Sequence, residues 1–239
     1  MRVIIYAAGI SRRLKSVAGN GLKGLLKLNG KRIIEYQLDW IVTQSISDIV
    51  IVLGLEHELY KETFGDSYKG ISIIYVYNPD YKDKGNMLSL WHAREYCDTD
   101  VLFTTSDLIC DYEDIAGFNN SEHQNKILID NKSVDLFRDS DPVKVSINDG
   151  IITGIHKNKS QLKSVDGVAI GLYQFSFAGI NGIISVIEEN IKKGLDDLSL
   201  YYAIGGILSD YEVNPVFAKK CLWFDIDTPS DLHNANNSI

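Results

Sequence analysis

Val3-Ile4-Ile5-Tyr6-Ala7-Ala8-Gly9-Ile10-Ser11-Arg12-Arg13, followed by Leu22-Lys23-Gly24-Leu25-Leu26, is the stretch that decides the reading of this chain. An apolar run ends in three small residues, two arginines follow, and Lys23 comes ten residues after Arg13. The run predicts a buried strand. Ala7, Ala8 and Gly9 carry little side-chain bulk, so a ligand can approach the backbone N–H groups closely. Successive N–H groups in such a turn form an anion-binding concavity. Arg13 and Lys23 add two mobile cations to those fixed dipoles, a combination suited to a nucleoside triphosphate.

A short apolar run before a glycine turn opens many α/β proteins, and Arg12, Arg13 and Lys15 also fit a solvated face. Two common phosphate-binding patterns are absent. Gly9 is the only glycine of a would-be G-x-G-x-x-G fingerprint, and no G-x-x-x-x-G-K-[ST] follows the strand. What remains resembles the A-A-G-x-[GS]-x-R…K signature of nucleotidylyltransferases with a GT-A-like, Rossmann-type fold.

The resemblance extends over nearly the whole chain, to the bacterial choline-phosphate cytidylyltransferases and related CTP-dependent enzymes. Gly30-Lys31-Arg32-Ile33-Ile34-Glu35-Tyr36-Gln37 is similar to the family's G-K-P-L-I-E-Y-Q helix start. Asn78-Pro79 with Asn86-Met87-Leu88-Ser89-Leu90 resembles its N…N-x-x-S-L segment, and Asp225-Ile226-Asp227-Thr228-Pro229 its late D-I-D-T-P element. Ser11, Leu22 and Gly24 depart from the common glycine, proline and alanine. The resemblance implies a nucleotide loop at Ala7, Ala8 and Gly9, with Asn86 and Ser89 near nucleotide or acceptor. It implies that Arg13 holds the β- and γ-phosphates, that Lys23 meets the α-phosphate and acceptor phosphate, and that Asp107 binds metal.

Composition narrows the partners. The 239 residues carry a net charge of −8, with 45% hydrophobic and 23% charged residues, a globular profile able to bury a large core. An acidic protein has no general electrostatic reason to bind nucleic acid or an anionic membrane. A triphosphate therefore needs a local cationic site. Cys97, Cys110 and Cys221 are odd in number and share no C-x-x-C spacing, as expected of reduced, cytoplasmic thiols. The N-terminal apolar run is short with its arginines after it, unlike a signal peptide, and Gln174, Ser176 and Asn181 interrupt the longest apolar region.

Strands are expected at Val3–Ala7, Asp48–Gly54, Ile71–Tyr77 and Val101–Ser106, with helices at Arg32–Gln44 and Gly85–Cys97, the latter with Asn86 as N-cap. Alternating strands and helices imply a mixed, mostly parallel sheet wound with helices on both faces, in one α/β domain over residues 1–239. Asn148-Asp149-Gly150 predicts a hairpin between Val143–Asn148 and Ile151–Lys157. A strand at Val168–Phe175 and helices at Gly179–Lys193 and Leu198–Leu208 come next. Short strands at Tyr211–Phe217 and Lys220–Phe224 and a helix at Pro229–Ala235 complete the reading, with Asn119–Asn125 as a surface loop.

Nucleotidyl transfer joins two anions, so positioning and charge neutralisation supply most of the catalysis. Mg²⁺ is the expected cofactor, held by one or two carboxylates. Asp107 and Asp227 are the candidates, at strand ends of the sheet edge where open α/β folds bind ligands; Asp225 is a further one. Asp227 or Thr228 also suits an N-cap. His57 and His92 are expected to pack or face solvent. Tyr173, Phe175, Trp91 and Trp223 are candidate acceptor contacts, with Tyr201 and Tyr202 among the bordering aromatics. Asp196, Asp197 and Glu188 are available to add negative charge around a cationic head. The expected reaction is CMP transfer from CTP to a small phosphorylated acceptor: phosphocholine-like, phosphonate or phospho-amino-acid. A sugar- or inositol-1-phosphate nucleotidylyltransferase and a non-catalytic nucleotide-binding regulator are the competing readings.

Overall fold

The computed structural model describes residues 1–9, 12–14, 22–54, 57–112, 118, 121–132 and 142–238. Ser11, Lys15, Glu113, Asp114 and the side chain of Arg12 lie outside the described set.

Strand β1 (Arg2–Ala7) is the centre of the molecule. Its side chains alternate between two covered faces, so both faces are apolar, as a parallel strand requires. After the small ribbon β2 (Lys27–Leu28) and β3 (Lys31–Arg32), β4 (Asp48–Leu53) pairs parallel with β1. The short β5 (Ser67–Tyr68) closes the edge against β6 (Ile71–Tyr77), and β7 (Val101–Thr105) flanks β1 on its other side. Beyond β7 the sheet turns antiparallel. After β8 (Leu108–Cys110) come β9 (Lys126–Asp130), the hairpin β10 (Val143–Asn148) and β11 (Ile151–His156), and the long β12 (Gly167–Phe175). Strand β13 (Asn214–Phe217) pairs parallel with β9. The main sheet runs β11-β10-β12-β7-β1-β4-β6-β5, with β9 and β13 attached through β12. The hairpin turn has positive φ at both Asp149 and Gly150, which the expected Asn-Asp-Gly signal supplies.

Helices cover both faces. Helix α1 (Ile33–Ile41) sets Ile34, Leu38 and Ile41 on Val3, Ile5, Ile49 and Ile51, and α2 (Glu58–Phe64) adds Tyr60 to that layer. Opposite them, α3 (Met87–His92), α4 (Phe177–Lys192) and α5 (Leu200–Ile207) pack on Ile4, Tyr6, Val50, Val52 and Phe103. Strand β14 (Trp223–Asp225) leaves the main sheet to pair antiparallel with β8, and α6 (Pro229–Asn236) follows it.

Several details correct the sequence reading. Asn86 stands at the N-cap position of α3 as expected, but its side chain does not cap that helix: its Oδ1 accepts from the Leu200 N–H at 2.8 Å, at the start of α5. The helix expected to Cys97 ends at His92 and continues as a 3₁₀ turn over Arg94–Tyr96. Asn125 is not surface loop: it is 9% exposed, and its Oδ1 accepts from the Ser176 N–H at 3.1 Å.

Strand β9 also buries Lys126 completely, its Nζ donating to the Ser121 carbonyl at 3.2 Å and lying 5.1 Å from the Phe118 ring centroid. Burial lowers the amine to about 8. The unfolded chain holds that proton up to about pH 10.4, so folding releases it between those values and stability rises with pH there. Lys126→Met should melt higher than wild type at pH 7, and the gap should close by pH 10 in thermal melts. A pH-independent gap would contradict this reading.

Candidate active site

The carboxyl ends of β1 and β7 open into one cavity of about 440 Å³. Tyr6, Ala7, Ala8 and Gly9 line it from the end of β1, Arg13 and Lys23 from the following segments, and Asn86 and Ser89 from α3. Thr105, Ser106, Asp107 and Asp227 complete the lining. Every residue expected at the nucleotide and metal, the further candidate Asp225 excepted, therefore lines one space. Gly9 is exposed, and a methyl group there would meet nothing within 4 Å, so its backbone is open to a ligand.

Asp107 and Asp227 lie 120 residues apart by number and meet because β8 pairs with β14. The register places Asp225 opposite Leu108, and the Ile226 N–H donates to the Asp107 carbonyl at 3.1 Å. Carboxylate oxygens of Asp107, Asp225 and Asp227 all fall within 4.8 Å of one another. Thr228, not Asp227, caps α6: its hydroxyl accepts from the Asp231 N–H at 3.2 Å, with Pro229 in the first turn. That leaves the Asp227 carboxylate for the cavity.

Lys23 lies between these acids. Its Nζ donates to Asp107 Oδ2 at 2.6 Å and also to Asp227 Oδ1, while Arg13 reaches Asp227 Oδ2 at 2.5 Å. Burial works against the ammonium, but Asp107, Asp225 and Asp227 outweigh it and hold Lys23 well above an ordinary lysine. Burial likewise raises Asp107, yet the Lys23 charge and hydrogen bond keep its carboxyl below the usual range. Both groups are charged at neutral pH. Among the described residues none donates a hydrogen bond to the buried Oδ1 of Asp107. A buried carboxylate oxygen without a donor is costly unless a ligand cation or water meets it.

Second supports hold the Asp107 turn. Gln37 of α1, 1% exposed, donates through Nε2 to the carbonyls of Thr105 and Leu108, each at 2.8 Å. Gln37 stands in the motif quoted above with no role implied for it; a glutamine in step with Ile34 and Ile41 on the apolar helix face is the available signal. Ser89 is fixed from the other side by the Asn78 amide at 3.3 Å.

A smaller cavity of about 110 Å³ adjoins the first, sharing Tyr6, Asn86 and Thr105. The rings of Phe103, Tyr173 and Tyr201 line it, with Ser199 and Lys157 at its wall. Tyr173 and Phe175 share one face of β12, as their spacing implies, stacking on Phe103 at 4.9 and 5.7 Å. Only Tyr173 reaches the cavity; Phe175 is fully buried. Trp91 lines neither cavity and is stacked by Arg94 at 4.3 Å. Trp223 is turned away, its indole donating to Asp130 at 2.9 Å beside Cys110 and Cys221. Asp196 is paired with Lys84 and Glu188 with Lys192, so neither supplies charge to these cavities. His92 pairs with Asp80, and His57 packs on Tyr77.

Residues 3–159 match the MobA-like NTP transferase domain. The chain belongs to that family. Among curated members of the wider group, it is 35% identical over 95 residues to the choline-phosphate cytidylyltransferase of Streptococcus pneumoniae, covering 40% of each chain. It is 23% identical to the CTP:phosphoglutamine cytidylyltransferase of Campylobacter jejuni over 97% of this chain and 98% of that one. For a further relative the matched part is only 17% of that protein's length, and the chain spans less than half the length of many of the curated proteins it matches. The fold agrees with that of the inositol-1-phosphate CTP transferase of T. maritima, with a TM-score of 0.81 at 19% identity over 99% and 95% of the two chains. The domain is thus a mixed sheet covered by helices on both faces. Among the described residues no helix is long and apolar enough to cross a membrane.

Proposed function

We propose that this NTP transferase transfers CMP from CTP to a small phosphorylated acceptor and releases pyrophosphate. The observation that carries the reading is the meeting of Arg13, Lys23, Asp107 and Asp227 at the open end of β1, beside a second, smaller cavity. Relatives named for CTP support cytidine as the base. A reduced, cytoplasmic setting accords with three unpaired thiols, two of them buried.

The Ala7–Gly9 backbone and Arg13 bind the triphosphate, with Arg13 neutralising the pyrophosphate as it leaves. Its 60% exposed side chain has the freedom to follow that group. Lys23, with a side chain only 16% exposed, is held in place by carboxylates and offers its charge at the α-phosphate, where negative charge builds during attack. Such a preorganised cation is worth more in a partly dry site than in water. The three aspartates fit Mg²⁺: they are hard oxygen donors, close together, and Asp107 presents a buried oxygen to which no described residue donates. Asp107 and Asp227 would hold the ion, with Asp225 beside them; when bound, it neutralises and orients the phosphates.

The smaller cavity receives the acceptor's tail. Ring faces of Tyr173 and Tyr201 suit a quaternary ammonium, at about 0.5–2 kcal/mol per well-placed ring. A second reading has its own observation: Lys157 is the one charged side chain among the described residues lining this cavity, which favours a tail bearing a carboxylate or phosphonate. Pyrophosphate release from CTP separates them, with phosphocholine, a phospho-amino acid, a phosphonate and a sugar 1-phosphate as acceptors. In either case Tyr173→Ala should raise KM for the preferred acceptor about tenfold while leaving KM for CTP nearly unchanged. If phosphocholine is preferred, the ammonium reading stands; if the phospho-amino acid is preferred and Lys157→Ala removes the preference, the second does. Equal effects of Tyr173→Ala on both substrates would reject the cavity as the acceptor site.

A further inference from the structure

Gly24 follows the cation of the site, and its backbone runs against a side chain from a different layer. A methyl group built on it would lie 2.7 Å from the Tyr60 hydroxyl, 3.2 Å from Ser106 Cβ and 3.4 Å from the Ser106 carbonyl. Its φ is not in the left-handed region, so space rather than backbone conformation excludes a side chain. Tyr60 comes from α2 and is 1% exposed. Its hydroxyl lies against both the Ser106 side chain and the Gly24 backbone. One buried oxygen thus joins the residue after Lys23 to the residue before Asp107.

We propose that Tyr60 is a positioning residue that sets the distance between the Lys23 turn and the Asp107 turn, and so fixes the catalytic ammonium. The inference rests on the nucleotidyl-transfer reading above. Other anchors hold each turn separately. Gln37 ties the Asp107 turn to α1, and Leu22, 3% exposed, seats the Lys23 turn in the core. Neither of these links one turn to the other, and the Lys23–Asp107 ion pair joins only the side chains, not the backbone turns that carry them. The Tyr60 hydroxyl does, from a ring already locked in the second core layer. Burial keeps that hydroxyl protonated and uncharged at neutral pH. A glycine at position 24 is the space this contact needs.

Tyr60→Phe keeps the ring in the core and removes only the link. A displacement of a reacting group by an ångström costs up to about a hundredfold, so kcat should fall by about ten- to a hundredfold, with KM for CTP changing less than about twofold. Gly24→Ala should lower kcat further by pushing the Lys23 turn off the hydroxyl. Adding Tyr60→Phe to Gly24→Ala should then recover part of that loss, because the oxygen in the way is gone. Rates are taken per CTP-binding site counted by calorimetric titration, so a loss of folded protein does not register as a loss of kcat. Wild-type kcat in Tyr60→Phe, or losses that simply multiply in the double variant, would overturn the proposal. A wild-type protein that releases no pyrophosphate with any acceptor would instead overturn the nucleotidyl-transfer reading.

Discussion

Lys23→Ala is expected to lower kcat by about 10²–10³, or about 3–4 kcal/mol of transition-state stabilisation, with a much smaller effect on CTP affinity. The asymmetry follows from where the ammonium sits. It is buried to 16% side-chain exposure and fastened to Asp107 and Asp227, so it is not a mobile ground-state contact for the outer phosphates. Its charge counts most when the α-phosphorus gains a fifth oxygen. Arg13 is different: its side chain is 60% exposed and meets Asp227 alone among the described residues. Arg13→Ala should raise KM for CTP as well as lower kcat. Equal, small effects from the two substitutions would return both residues to an ordinary solvated surface.

Asp107→Asn should be as damaging, on the order of 10³-fold in kcat, because it removes a hard anionic donor while preserving volume and the fold. Gln37 still holds the turn from α1, and the asparagine amide fits the same space. The variant should need far more Mg²⁺ for half-maximal activity, and EDTA should silence the wild type. Asp227→Asn should behave similarly, since Thr228 carries the capping of α6 and Asp227 is spared that duty. Near-wild-type turnover in Asp107→Asn would exclude it as a ligand.

Much of this architecture is written in local patterns. The runs Val-Ile-Ile-Tyr, Ile-Val-Ile-Val and Ile-Ile-Tyr-Val-Tyr are β-branched or aromatic, each preceded by a polar residue, and each lies in a strand. Lys126–Asp130 was missed because both ends are charged, although all five residues are buried. The strand expected at Lys220–Phe224 is present as Trp223–Asp225, but β8 and its pairing with that strand had no sequence signal. Three residues per strand carry too little period, yet their pairing is what gathers Asp225 and Asp227 at Asp107. Asn86 shows the same limit: its position before a helix implied a local cap, while its actual partner, Leu200, is 114 residues away. Aromatic residues were legible as a set and not one by one. Tyr173 and Phe175 share a strand face, but only the neighbours supplied by β7 and α5 decide which ring meets a cavity and which fills the core. Tyr60 had no signal of its own; the one trace was a glycine at position 24 where alanine is common in similar enzymes.

The central claim is that Lys23, Arg13 and the three aspartates bring CTP's α-phosphate to a phosphorylated acceptor. ³¹P NMR of the wild-type protein with CTP, Mg²⁺ and the acceptor set follows both products at once. The account predicts one pyrophosphate and one new CMP–acceptor phosphoanhydride for every CTP consumed, and neither product from the Lys23→Ala protein at the same concentration over the same time. CTP left intact with every acceptor, or pyrophosphate formed with free CMP and no coupled product, would contradict it.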